Sequence, residues 1–335
     1  MVQREKCPIG VVIPAHRSQD VLAATLDRVS NQTVAPRSVI VVVDGPDPET
    51  ESVARSAAID CEILVLPEGT GGPSQPRNRG AERLLAKGPL EGVWFLDSDD
   101  LPDTRFLSVV SRVLERNPDA GFVTTGFESW FSDATMPDPS PDPGDDPVVR
   151  AIDLDGYLAS TGSILPSFTV FRPSAWSKVR ESGAPFDESV RINNDYDTFI
   201  RMLHLGTGVR IDWVGGIYRV HPAGISASGV GIQLCRSHCN ESLARWFEEQ
   251  GDEDRARQFR RSMGTSKRSA AKMLWRRNLP GDRKFAIGIL IQSIVEDQDV
   301  RSAPMMLALP VLAGRTDSSA SADVRESYFR KTAPE

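Results

Sequence analysis

The sequence lacks any run of the roughly 18 apolar residues that a membrane-spanning helix needs. Its longest candidates, Ala286–Ile291 and Met305–Leu309, are too short, so an integral membrane protein is not expected. The opening MVQREKCPIG passes from a charged stub into a strand-like run without an apolar leader or small-residue cleavage site, and a cytoplasmic address is the expectation. Cysteines are few: Cys7, Cys61, Cys235 and Cys239 have no framework spacing, which excludes a disulfide scaffold and predicts free thiols in a reducing compartment. Cys235, His238 and Cys239 invite a metal reading, but a fourth ligand at suitable spacing is missing, and positions on a helix are the plainer one. Positive charge is not in excess either. Lys and Arg number 39 against 46 Asp and Glu, a formal charge of −7, which argues against nucleic acid as a partner. No internal repeat is evident.

What is present is an ordinary globular composition: 335 residues, 40% apolar and 25% charged, enough for one large domain or a medium domain with an appendage. Over the first hundred residues, short β-branched runs alternate with amphipathic stretches. Strands are predicted at 9–13 (closed by Pro14), 39–43, 63–66 and 93–96, and helices at 20–30, 48–57, 74–86 and 103–116. Continuous apolar strands separated by helices imply an α/β fold with a mostly parallel sheet covered by helices, whose ligands sit at the carboxyl ends of the strands. A longer strand is expected at 121–131, then an Asp- and Pro-rich stretch, 132–147, that cannot form regular structure and is either a solvated insertion or a lid on the acceptor side. Further elements are expected at 167–171, 194–205 and 214–220. From about residue 227 the pattern becomes helical, a C-terminal helical appendage. Within it, Arg255 to Arg277 holds nine Lys or Arg and no acid, which fits either a solvated face paired with the acidic remainder or peripheral contact with an anionic membrane face.

The most informative string is Phe95-Leu-Asp-Ser-Asp-Asp100. An apolar strand delivers Asp97, Ser98, Asp99 and Asp100 to the ligand edge of the sheet, and three carboxylates in four residues repel one another unless a cation sits among them. Hard oxygen ligands favour Mg²⁺ or Mn²⁺ beneath a substrate's phosphates. The alternative is that Asp99 or Asp100 caps the helix expected near Asp103.

Taken in order, IGVVIPAHR from Ile9, VIVVVDGP from Val39, GGPSQPRNRG from Gly71 and FLDSDD from Phe95 resemble the inverting nucleotide-sugar glycosyltransferases of family 2. NNDYDTFIRM from Asn193 and YRVHPAGIS from Tyr218 are similar to that family's acidic catalytic helix and its Tyr-Arg-x-His closing segment. The resemblance covers roughly residues 9 to 226. It implies a GT-A type, Rossmann-like domain over 1–226, a helical region over 227–335, and transfer of a sugar from a UDP, dTDP or GDP donor to an acceptor that the sequence leaves unnamed.

Position by position, the resemblance implies that Asp44 accepts the N–H of the nucleobase, Gly45 standing where the family more often has a second acid. Asp97 is expected near ribose or base. Asp99 is expected to ligate Mn²⁺ or Mg²⁺, with His221 as a further ligand or diphosphate contact. Pro14, Ala15, Arg17 and Ser98 are expected along the nucleotide-sugar. Arg77 and Asn78, opening a helix after a glycine turn, face donor phosphate, or Arg77 instead clamps Asp97. Asp195 matches the second residue of the family's Glu-Asp pair and is the candidate base, with Asn194 in the first place. Asp197 points elsewhere on the helix and is expected to pair with Arg201 at i, i+4.

A nucleotidyltransferase of related fold is the enzymatic rival, disfavoured because Pro14-Ala15-His16-Arg17 is no glycine-rich phosphate loop. A non-catalytic nucleotide-sugar-binding protein or scaffold is the other alternative. Oligomeric state, including a homo-oligomer, is open.

Overall fold

The structure, a computed structural model, describes residues 6–131, 134–159, 164–180, 183–220, 229–295, 297, 299 and 301–308. The chain divides into two compact units, Met1–His221 and Pro222–Glu335.

In the first unit the elements follow the order β1 (Ile9–Ala15), α1 (Leu22–Ser30), β2 (Ser38–Val43), α2 (Pro48–Arg55), β3 (Glu62–Val65), α3 (Ser74–Leu85), β4 (Gly92–Phe95), β5 (Leu101–Pro102), α4 (Phe106–Arg116) and β6 (Ala120–Phe131). There follow β7 (Val149–Ile152), α5 (Leu154–Ala159), a 3₁₀ turn (Pro166–Phe168), β8 (Thr169–Phe171), α6 (Pro173–Trp176), α7 (Asn194–Leu205) and β9 (Thr207–Val220). The strands form one sheet in the order β3-β2-β1-β4-β8-β6-β9-β5, with β7 on β9. The half containing β3, β2, β1 and β4 is parallel, whereas β8 is antiparallel to β4 and β6, so the sheet is mixed beyond β4.

β1 is buried throughout and, with Val39, Val41, Val43, Trp94 and the apolar face of α4, forms the main core. Its continuous apolar run is what a strand covered on both faces requires. Pro14 does not end this strand, contrary to expectation: it sits in register with Val42, since a proline forfeits only its own donor. Gly80 lets α3 lie directly on the sheet, because a Cβ there would come within 2.3 Å of Val12 Cγ1. The helix expected from Asp103 begins at Phe106, because Leu101–Pro102 is drawn into a short pairing with β9. β9 is longer than expected. Its first half, Thr207–Trp213, pairs with β6 and β7.

The Asp- and Pro-rich stretch, described from residue 134, has no helix or strand up to 148 among the described residues. It is nonetheless tied down. Arg105 donates to the Ser140 carbonyl, Trp213 to that of Pro141, Arg112 to that of Gly144 and Arg116 to that of Asp145.

The second unit contains α8 (Gly229–Glu249), α9 (Glu253–Arg277), α10 (Asp282–Val295) and α11 (Ser302–Ala308). Val230, Leu234, Ala270, Ala271, Leu274, Ala286, Ile289 and Leu290 form its core. Cys235, His238 and Cys239 lie on α8, and all four cysteines are free thiols. No helix among the described residues is long and apolar enough to cross a membrane.

Candidate functional site

The carboxyl ends of β1 and β2 splay around a cavity of about 560 Å³ whose lining includes His16, Arg17, Gln19, Asp44, Gly45 and Glu49. Asp44 is buried at its floor, 6% exposed, which only paired carboxylates tolerate. Its Oδ1 accepts the Thr70 backbone N–H at 2.8 Å and its Oδ2 lies 3.1 Å from the Thr70 hydroxyl. That hydroxyl also lies 2.9 Å from the Gly72 carbonyl. It carries one proton, so it can donate well to only one of the two at a time. Arg17, in the left-handed region at φ 50°, donates its N–H to Asp47, and Asp47 also caps α2 through the Thr50 N–H. The fold thus sets Arg17 and Asp44 around this cavity, together with the Ala15 end of β1, while Pro14 lies buried within the strand.

β4 delivers the acidic turn. The Thr25 hydroxyl contacts the carbonyls of Ser98 and Asp100, and the Ser98 and Ser18 hydroxyls meet at 2.8 Å. Asp97 receives two contacts: its N–H donates to Ser167 Oγ, and its Oδ1 accepts from Arg77 at 2.5 Å. Asp97, Ser98 and Asp99 are half-buried, whereas Asp100 is fully buried. Asp100 Oδ1 accepts the Arg219 N–H at 3.1 Å, and Oδ2 is buried without a hydrogen-bond partner. Burial, then the charges of Asp99 and Asp97, push the Asp100 carboxyl well above the usual carboxylate range. Neither Asp99 nor Asp100 caps α4, whose N-terminus has no side-chain cap, so the capping alternative falls.

Arg77 is 3% exposed. Besides Asp97 it donates to Asn194 Oδ1 at 3.0 Å, and its guanidinium lies over the Phe186 ring. Of the two readings of Arg77, the contact with Asp97 is the one observed. Asn78 does not point along it. Its amide exchanges hydrogen bonds with the backbone N–H and C=O of Phe186 and reaches Glu188; buried and bonded on both sides, it pins the segment before α7.

α7 begins after Asn193, a left-handed residue at φ 63°. Asp195, on its first turn, is half-buried. Burial raises its pKa, opposed by the neighbouring Arg77 cation and reinforced by Asp97. Asp197 is fully buried between Arg201, which grips both its oxygens, and Arg180. Helical spacing points to Arg201; nothing in the sequence points to Arg180. Tyr218 on β9 is a site residue that sequence reasoning misses. Its phenol is pushed up to about 12 by burial and by the charges of Asp100, Asp99, Asp97 and Asp195, so the charges of the acidic turn and of the α7 acid are felt at one side chain. The available signal is the Tyr-Arg-x-His segment itself. His221 lies outside the described residues.

Among the described residues no three His, Cys, Asp or Glu side chains converge as a metal cluster. The turn fits a cation of the Mg²⁺ or Mn²⁺ kind that takes only one or two protein carboxylates and completes its shell from phosphates and water. The observation in its favour is three carboxylates on one short turn, Asp97 and Asp99 half-buried and Asp100 fully buried, where the charges of Asp99 and Asp97 add to burial in disfavouring ionised Asp100.

Residues 10–136 match the family described as Glycosyl transferase family 2. The chain is 28% identical over 126 residues to the uncharacterized glycosyltransferase EpsJ of Bacillus subtilis, covering 37% of this chain and 35% of that protein. It is 35% identical over 98 residues to poly(ribitol-phosphate) beta-glucosyltransferase of Bacillus spizizenii, covering 28% and 15%. The matches therefore span about a third of the first relative and less of the second. Among solved structures, the fold is similar to S. aureus TarS 1-349 in complex with UDP-GlcNAc, with 14% identity, TM-score 0.53 and coverage of 96% of this chain and 91% of that one. It is also similar to the mannosyltransferase PcManGT from Pyrobaculum calidifontis in complex with GDP-Man and Mn²⁺, with 15% identity, TM-score 0.53 and coverage of 93% and 88%. Over residues 10–136 the sequence is thus similar to glycosyltransferase family 2, and the α/β fold is GT-A-like.

Proposed function

We propose that the protein is a metal-dependent inverting glycosyltransferase that moves a sugar from a nucleoside diphosphate donor of the UDP, dTDP or GDP type to an acceptor hydroxyl or amine. The observation that carries this reading is the meeting of two acid groups, Asp97 to Asp100 and Asp195, around Tyr218 and Arg77, beside a cavity floored by Asp44. The two relatives named as glycosyltransferases, and the neighbours holding UDP-GlcNAc and GDP-Man, support it.

The nucleobase enters the β1–β2 cavity and gives its ring N–H to Asp44, a donor present in uracil, thymine and guanine and absent from cytosine. The diphosphate lies over the acidic turn. Asp99 would hold the divalent cation, with His221 as the second protein ligand, and that cation supplies neutralisation of charge on the leaving diphosphate. Asp195 takes the acceptor proton as the acceptor oxygen or nitrogen bonds to the anomeric carbon from the face opposite the diphosphate. The bond to the diphosphate oxygen breaks with its electron pair, inverting the centre. Arg77 holds Asp97 and Asn194 in place and supplies the cation beside the base.

A thermal-shift series tests the reading. A ligand that binds only the folded protein raises its melting temperature, so UDP, dTDP or GDP with Mn²⁺ should raise it, and EDTA or Asp99→Ala should remove the metal-dependent part. Equal shifts with EDTA and with Mn²⁺ would overturn the metal-dependent reading.

A further inference from the structure

The second unit carries an apolar face that its own core does not use. α10 buries Ala286, Ile289, Leu290 and Ser293. On its other side Ile287, Ile291 and Val295, spaced i, i+4, i+8, are 37%, 47% and 71% exposed, and Leu279 just before the helix is 38% exposed. An aliphatic stripe at helical spacing is normally turned toward a partner rather than to water.

The charges around this face are one-sided. Five of the nine cations of the basic stretch of α9 are paired within the unit: Lys267 with Asp297, Arg268 with Asp299, Arg277 with Asp282, Arg260 with Glu248, and Arg257 with Asp254. Arg276, Arg283 and Lys284, exposed at the end of α9 and the start of α10, form no ion pair among the described residues. The exposed positions of α10 include no acid. The structure therefore shifts attention from α9, where the sequence concentrates basic residues, to α10, where cations and exposed aliphatics coincide.

We propose that this face of α10 docks on an anionic lipid surface, with the aliphatic stripe entering the headgroup boundary and Arg276, Arg283 and Lys284 meeting lipid phosphates. Charge complementarity selects this occupant. A second copy seated by two-fold symmetry would bring the same cations toward each other, and a nucleic-acid backbone would leave the aliphatic stripe without a partner.

The test is co-sedimentation of the full chain with vesicles of phosphatidylcholine alone or mixed with phosphatidylglycerol, read alongside analytical ultracentrifugation without lipid. Binding to the anionic vesicles should exceed that to neutral ones by about tenfold or more and should weaken as salt screens the cations. Ile287→Ser with Ile291→Ser, and separately Arg283→Glu with Lys284→Glu, should each reduce binding by about tenfold with unchanged melting temperature. No binding to anionic vesicles at low salt, or unchanged binding by the double serine variant, would overturn the proposal. So would a dimer that the serine variant dissolves, since the face would then belong to a second copy. None of these measurements requires nucleotide, so their failure leaves the glycosyltransferase reading untouched.

Discussion

Arg77 spans from Asp97 at 2.5 Å to Asn194 at 3.0 Å, joining the acidic turn after β4 to the first residue of α7. With the guanidinium buried, removing it strands Asp97 and leaves the Asn194 amide oxygen without its donor. Arg77→Met should cost about 3 kcal/mol of stability, within the range for breaking a buried pair and reduced because Asp97 is partly solvated. Arg77→Lys keeps the charge but not the fork, and should fall between. Urea unfolding measures both, and a neutral Arg77→Met would contradict the clamp.

Asp44 and Thr70 form the second test. Thr70→Val removes the hydroxyl but keeps the backbone N–H on Asp44 Oδ1. It should weaken nucleotide binding by less than about tenfold, one hydrogen bond being worth about 1 kcal/mol, and retain the preference for UDP over CDP. Asp44→Ala should erase that preference. Calorimetric titration of the two nucleotides decides; a mutant with the wild-type ratio would remove Asp44 from base recognition.

Asp195 sets a pH dependence. As a base it works only when ionised, and burial raises its pKa while Arg77 opposes the rise. The rate should therefore climb with pH along a limb lying above the ordinary aspartate value of about 3.9. Weakening the Arg77 cation should move that limb further up. Asp195→Asn should lower kcat by about 10² to 10⁴ with donor affinity nearly unchanged, whereas a variant with a near-normal rate and limb would place the base elsewhere.

Asp197→Asn addresses stability. It leaves two arginines facing an uncharged amide in a buried site, at a cost of about 3 to 5 kcal/mol, visible as a lowered urea midpoint. Nearby, burial would raise Asp187, but Ser189 hydrogen bonds and the charges of Arg180 and Arg201 hold its pKa below normal. The stability it contributes is complete above the unfolded value of about 3.9 and is lost as pH falls through the depressed folded value. An acid-unfolding midpoint unchanged in Asp187→Asn would refute that contribution.

The elements around β1, β2 and α3 were legible because burial on both faces writes an unbroken apolar run. Pro14 misled, since its missing N–H is a local cost that a parallel register absorbs. The first half of β9 was not legible: Gly208, Arg210 and Asp212 interrupt the apolar pattern, and the pairing partners that hold it in the sheet lie far away in sequence. The acids of the site could be read from their position after a strand and on a helix turn. The partners Arg180, Thr70 and Phe186 could not, because each reaches its carboxylate, amide or ring across segments whose meeting only tertiary packing determines.

Gly45 has a consequence for redesign. Its φ is +88°, and a Cβ on it would lie 2.8 Å from the Gly69 nitrogen. An acid installed there, beside Asp44, would therefore meet backbone on one side and an unfavourable torsion in its own main chain. Altered donor preference is better sought by varying Arg17, Gln19 or Glu49 on the cavity wall, where side chains can change without moving the turn, whereas substitutions at position 45 should each lower stability by about 1 to 3 kcal/mol.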